Sequence, residues 1–203
     1  MKFLLRNILN LLLAMGIGVA IYIAANWSAM PVMQRILGLY FVGFVLHVWE
    51  EFRYPGGFPE MVMGRLNFTL PNPHAAEAVL TGFVLYLVFI PFLFPNVIWM
   101  AMASMVLGVM QAIGHTAEIW IFRLKHYYSP GLVTAVTMFL PISIVGITYA
   151  VRHDLMQPWQ WLYSVLYLLS GFALTQGTIV RMSGLTYSEF LKRGRTELFT
   201  KQG

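Results

Sequence analysis

Six stretches of this chain are each too long and too apolar to be left in water. A helix rises about 1.5 Å per residue, so about twenty mostly apolar residues cross a hydrocarbon layer of about 30 Å. The stretches run from Ile8 to Ala25, from about Met33 to Trp49, from His74 to Phe94, from Val97 to about Phe122, from Pro130 to about Val151, and from Trp159 to Val180. Composition forbids the alternative of a soluble domain. Hydrophobic residues are 59% of the 203 positions and charged residues 10%, where a soluble domain carries about a quarter charged. The expected fold is all-α: a polytopic transmembrane helical bundle of about six spans, multi-pass in the cell membrane, with the lipid bilayer as its first partner. Lys2 and Arg6 before the first stretch and Ala24-Ala25 after it also outline a secretory signal. Its apolar run is longer than a usual signal core, and we read it as a span.

Punctuation between the runs sets the organisation. A polar loop from Arg53 passes through Tyr54-Pro55-Gly56-Gly57 to Pro71-Asn72-Pro73, where Asn72 and Pro73 read as N-cap and first-turn proline of the third span. Pro95-Asn96 leaves room only for a tight turn. Nothing Gly/Ser-rich or charge-dense interrupts the chain before its last twenty or so residues, so residues 1–180 read as one transmembrane domain and residues 181–203 as a basic cytoplasmic tail, interfacial or disordered. With both termini inside, the inner segments hold Lys2, Arg6, Arg53, Arg65, Arg123, Lys125, Arg181, Lys192, Arg193, Arg195 and Lys201, and the outer ones only Arg35 and Arg152. That asymmetry is the one cytoplasmic segments show, and it favours an even number of spans. Because the cations sit in short loops and not on one surface, the net charge of +5 points to anionic head groups and not to nucleic acid.

The chain has no cysteine, so any metal must be held by His, Glu or Asp. It has only eight acidic residues, and four of them follow a histidine by three or four places at the edge of an apolar run. His47-Val48-Trp49-Glu50-Glu51 closes the second span, His74-Ala75-Ala76-Glu77 opens the third, and His115-Thr116-Ala117-Glu118 lies near the end of the fourth. Positions i, i+3 and i+4 share one helix face, so each motif is a preformed ligand pair or trio. Alternating helix direction then carries all three to the cytoplasmic end. The candidate metal ligands are His47, Glu50, Glu51, His74, Glu77, His115 and Glu118. His126 joins them only if the chain turns back after Phe122, because a straight helix would leave it about 16 Å beyond His115. The donor types suit Zn, Fe or Mn, and seven groups suit one or two ions. Glu50 stands axially nearer His47 and is expected to share its metal, which leaves Glu51 as a bridge or catalytic base. The structural alternatives are pairing of Glu50 and Glu51 with Arg53, and placement of Glu77 at the positive end of a helix dipole. His153, beside Asp154, reads as solvated surface.

The motif His47-Val48-Trp49-Glu50-Glu51, with Tyr128-Ser129-Pro130-Gly131-Leu132-Val133-Thr134-Ala135 and the later Pro141, resembles the HXXEE family of integral membrane proteins. The resemblance spans roughly residues 40 to 145. It implies a multi-span helical protein and carries no activity.

Two functions follow from the residues themselves. The first is a metalloenzyme, hydrolase or oxidoreductase, acting on a lipid or other apolar small-molecule substrate at the cytoplasmic membrane edge. The second is a transporter or proton relay built on the same His/Glu cluster. No inverted repeat is evident, and no matching cluster stands at the outer end to complete an alternating-access path. The Glu50-Glu51-Phe52-Arg53 spacing is shorter than an intramembrane glutamate protease is expected to need.

Overall fold

The computed structural model describes residues 2–124 and 126–199, with the side chains of 197–199 left aside. No strand occurs among the described residues. Among the described residues six helices are long and apolar enough to cross a membrane: α2 (Ile8–Asn26), α3 (Val32–Phe52), α5 (Pro73–Leu93), α6 (Ile98–Ile121), α7 (Leu132–Arg152) and α8 (Gln160–Met182). Three shorter helices accompany them: α1 (Lys2–Arg6), α4 (Phe58–Leu66) and α9 (Tyr187–Phe199).

The differences from the sequence reading have local causes. The loop from Arg53 to Pro73 contains α4, which starts at Gly57 (φ 97°) with Pro59 in its first turn and stops at Asn67 (φ 49°). Gly carries that left-handed start without the Cβ clash other residues meet. The tail is not unstructured: Arg181 lies in the last turn of α8, and α9 covers Tyr187–Phe199. A capping box opens α9, with the Thr186 N–H donating to Glu189 at 2.8 Å and the Glu189 N–H donating to the Thr186 hydroxyl at 3.3 Å. Phe190 meets Phe68 edge-on at 6.0 Å, and Arg193 donates to the Asn67 carbonyl, so α9 is tied to the end of α4. Lys125, one cation of the expected basic connection, and residues 200–203 of the tail lie outside the described residues. Asn72 caps α5, accepting from the Ala75 N–H at 3.2 Å, with Pro73 at the first position.

Two spans carry a π-helical turn two residues before a proline: Leu85–Phe89 before Pro91 in α5, and Ala135–Phe139 before Pro141 in α7. Proline has no N–H, so carbonyls one turn earlier lose their helical partner, which is costly away from water. In α5 the neighbours supply the donors: Ser104 of α6 bonds the Leu87 carbonyl at 2.5 Å, and the Tyr167 hydroxyl of α8 bonds that of Tyr86.

α3 is the axis of the bundle. Its apolar window is 61% buried, against 22% in both α7 and α8, so most groups on α3 land in the interior of the bundle. Tyr40, Phe41 and Phe44 are fully buried, and Tyr40 stacks on Phe139 of α7 at 4.9 Å. The C-terminal end of α3, the start of α5, the end of α6 and the start of α7 meet at one end of the bundle. α1 packs against α5 there and α9 against α4. That end carries Lys2, Arg6, Arg53, Arg65, Arg123, Arg181, Lys192, Arg193 and Arg195, and the opposite end Arg35 and Arg152.

Candidate metal centre

Helical spacing builds the site from two directions. On α3, His47 and Glu51 are one turn apart, and on α6, His115 and Glu118 are three residues apart; His47, Glu51 and His115 are all buried. α6 ends at Ile121, Arg123 takes φ 49°, and the chain turns back so that Ser129 reaches His115. Gly131, at φ 100°, then opens α7.

The two imidazoles point the same kind of atom at one carboxylate. Glu51 Oε1 lies 3.5 Å from His47 Nε2 and 3.5 Å from His115 Nε2, and the three donor atoms all fall within 4.8 Å of one another. His47 Nε2 is buried and has no hydrogen-bond partner. The opposite ring nitrogens are tethered. His115 Nδ1 is 3.1 Å from Glu118 Oε2, which also accepts from Ser129. His47 Nδ1 is 2.9 Å from the Thr134 hydroxyl, which donates to Glu50 Oε2 at 2.5 Å. A carboxylate, directly or through one hydroxyl, therefore holds the proton on Nδ1 of each ring, and in the neutral ring this leaves Nε2 a lone pair. With both rings neutral, three acceptors face one another and repel unless a metal ion or a proton sits between them. Metal–ligand bonds of about 2.1 Å at a tetrahedral angle place donor atoms about 3.4 Å apart, close to the two spacings seen.

Glu50 has a different task. Turned about 100° from Glu51 on α3, it accepts from the Val133 N–H at 3.0 Å, the Thr134 N–H at 2.8 Å, the Thr134 hydroxyl and the Tyr128 hydroxyl at 2.8 Å. These include amides of the first turn of α7, which no carbonyl of that helix can reach, so Glu50 caps α7 from another helix and faces its positive dipole end. The bond to Glu50, together with burial, pushes the Tyr128 hydroxyl well above the ordinary tyrosine range, burial being the larger cause.

This reverses the expected division between the two glutamates. Axial distance favours Glu50 as the partner of His47, but Glu51 takes that place because angle outweighs rise: Glu50 points at α7, Glu51 at His115. The expected seven-group cluster also divides. Glu118 stands behind His115. Glu77, itself buried, accepts from the exposed Arg53 at 2.9 Å and lies 3.2 Å from His74 Nδ1, a separate link between the end of α3 and α5, so Arg53 pairs with Glu77 and not with Glu50 or Glu51. Among the described residues one three-donor group remains, which suits one ion and not two. His126 is exposed; the chain does turn back after Phe122, but the residue it delivers is Ser129. His153 and Asp154 are exposed.

Sequence reasoning passed over Tyr128, Ser129, Gly131 and Thr134 as chemistry. Their signal was a run of hydroxyls with a glycine in the short connection that leaves Glu118. A Cβ on Gly131 would lie 2.7 Å from His115 Cε1 and 2.8 Å from His47 Cε1, so this connection passes directly against both rings. Phe139 and Phe58 pack on the other sides, with centroids 4.7 Å from His47 and 5.4 Å from His115.

Fold and site together define a class: a helical bundle of membrane-span length with a buried group of two histidines and one glutamate at its basic end. Within that class the chain belongs to the HXXEE family, described as a protein of unknown function with HXXEE motif, whose model matches residues 38–146. The matched segment runs from α3 into α7 and contains every residue of the site. No curated protein and no solved structure matches the chain.

Proposed function

We propose that this protein is a membrane metalloenzyme that holds one divalent ion, Zn, Fe or Mn, between His47, Glu51 and His115. The observation that carries the reading is the buried, unpartnered Nε2 of His47, set with a second imidazole Nε2 around one carboxylate oxygen. Two histidines and one carboxylate leave coordination positions for water or substrate, the pattern of catalytic and not of closed structural sites. Such an ion lowers the pKa of bound water for hydrolysis, or, if redox-active, oxidises a bound molecule. Placement among spanning helices favours a lipid or another apolar substrate. The outer-shell carboxylates Glu118 and Glu50 favour a metal over a proton relay, because they hold both rings in the tautomer a metal requires.

Elemental mass spectrometry of the protein purified in neutral detergent is expected to give about one ion per chain. Protein that is metal-free and takes up no Zn, Fe or Mn would overturn the reading and leave the proton relay.

The charge asymmetry supports a cell-membrane protein with the basic end, both termini and the site facing the cytoplasm. Reporter fusions after Met30 and Asn96 are expected to read external. A cytoplasmic signal from either would place the site on the other side or change the number of spans.

A further inference from the structure

A cavity of about 690 Å³ adjoins the site on the Glu50 side, between α2, the end of α3 and the start of α7. Its size is that of small-molecule pockets, about 300–1,000 Å³. One flank is apolar: Leu13, Leu46 and Val133 line it, and Leu46 and Val133 are exposed on the outside of the bundle, where an alkyl chain would arrive from lipid. The other flank is aromatic. Trp49 and Tyr54 line it, their near-parallel rings stacked on each other with centroids 5.9 Å apart, and Tyr128 adds a third ring. Glu50 also lines it, and among the described residues no lysine, arginine or histidine does. The nearest cation in sequence, Arg53, is engaged by Glu77 and the Phe52 carbonyl.

Among the described residues, Glu50 is thus a carboxylate whose hydrogen-bond partners are all uncharged, at the wall of a cavity lined in part by aromatic rings. Its negative charge, met by neutral donors and by the N-terminal dipole of α7, still attracts a cation to the cavity wall. Its four hydrogen bonds also restrict which cation, because both oxygens already accept two donors each. A primary ammonium brings three N–H groups that need acceptors. A quaternary ammonium brings none, and is held by charge and by aromatic faces alone. We propose that this cavity binds the quaternary ammonium head of an alkyl amphiphile, with its chain along Leu13, Leu46 and Val133. The site goes beyond the metal reading and does not need the ion. Thr134, which bonds both Glu50 and His47, is the wall the two sites share.

The test is calorimetric titration of the protein in maltoside detergent, after chelation and with metal content measured on the same sample. The probes are octyltrimethylammonium, octylammonium and octyl sulfate. Octyltrimethylammonium is expected to bind saturably, at least about tenfold tighter than octylammonium, with no saturable binding of octyl sulfate. Glu50→Gln is expected to weaken it at least about tenfold. Because that substitution also touches the cap of α7, Tyr54→Leu serves as the second variant: Tyr54 is exposed and outside the cap, and loss of its ring is expected to weaken binding about five- to tenfold, in line with one cation–π contact. Equal affinity for the three probes, or unchanged affinity in Tyr54→Leu, would overturn the proposal by showing a crevice for any alkyl chain. Absent ammonium binding with an ion still retained before chelation would refute this cavity and spare the metal site; the reverse result would do the opposite.

Discussion

Glu51→Gln is expected to strip the ion from the protein, whereas Glu50→Gln leaves much of it bound. Glu51 supplies the one anionic donor, 3.5 Å from each Nε2. An amide is neutral and a poor ligand, so affinity should fall by more than the roughly 10- to 100-fold that outer-shell changes alone cost. His47→Ala and His115→Ala belong with Glu51→Gln, since each removes one of the three proposed ligands. Glu50→Gln acts through Thr134. Its new NH2 group must face at least one of the donors that Glu50 now satisfies, which leaves a buried donor unpaired at about 1–3 kcal/mol and loosens the tether of His47. Metal stoichiometry and thermal unfolding on the purified variants separate the two effects. Loss of the ion in Glu50→Gln with retention in Glu51→Gln would show that the glutamates have been assigned the wrong way round.

The second large effect is expected at Gly131. Alanine there meets two penalties at once. At φ 100° a side chain is strained, by roughly 1–2 kcal/mol. The added Cβ would also stand 2.8 Å from His115 Nε2 and 2.8 Å from His47 Cε1, where neither ring can retreat without leaving Glu51. Overpacking of that kind costs about 1–3 kcal/mol, so the sum is about 2–5 kcal/mol, together with loss of bound metal. A Gly131→Ala protein with unchanged melting and full metal content would mean that the 129–131 connection does not press on the site. Gly57→Ala makes the control, since its φ of 97° imposes similar strain but its Cβ would meet nothing within 4 Å. It should lose stability and keep the ion.

Much of the architecture follows from residue order alone. Six runs of about twenty apolar residues can satisfy their backbone in lipid only as helices, which is why their existence and approximate ends were readable without any contact information. Asn72-Pro73 marked the start of α5 for an equally local reason, a side-chain acceptor followed by a residue without an N–H. Periodicity also put His47 and Glu51, and His115 and Glu118, on single faces, and alternating direction put their helices' ends together. α4 and α9 were missed because both lie in polar segments where no long apolar run announces a helix, and their ends depend on Gly57, Asn67 and the Thr186–Glu189 box. What residue order could not decide was rotation. The two adjacent glutamates point about 100° apart, and only the packing of α3 against α6 and α7 determined that Glu51 meets the second imidazole while Glu50 caps α7. Nor could spacing show that Arg53 takes Glu77 out of the cluster, or that the chain returning after Phe122 presents Ser129 and Gly131 and leaves His126 exposed. Those outcomes rest on contacts between residues distant in the chain, where the direction of a side chain is set by its neighbours and not by its own helix.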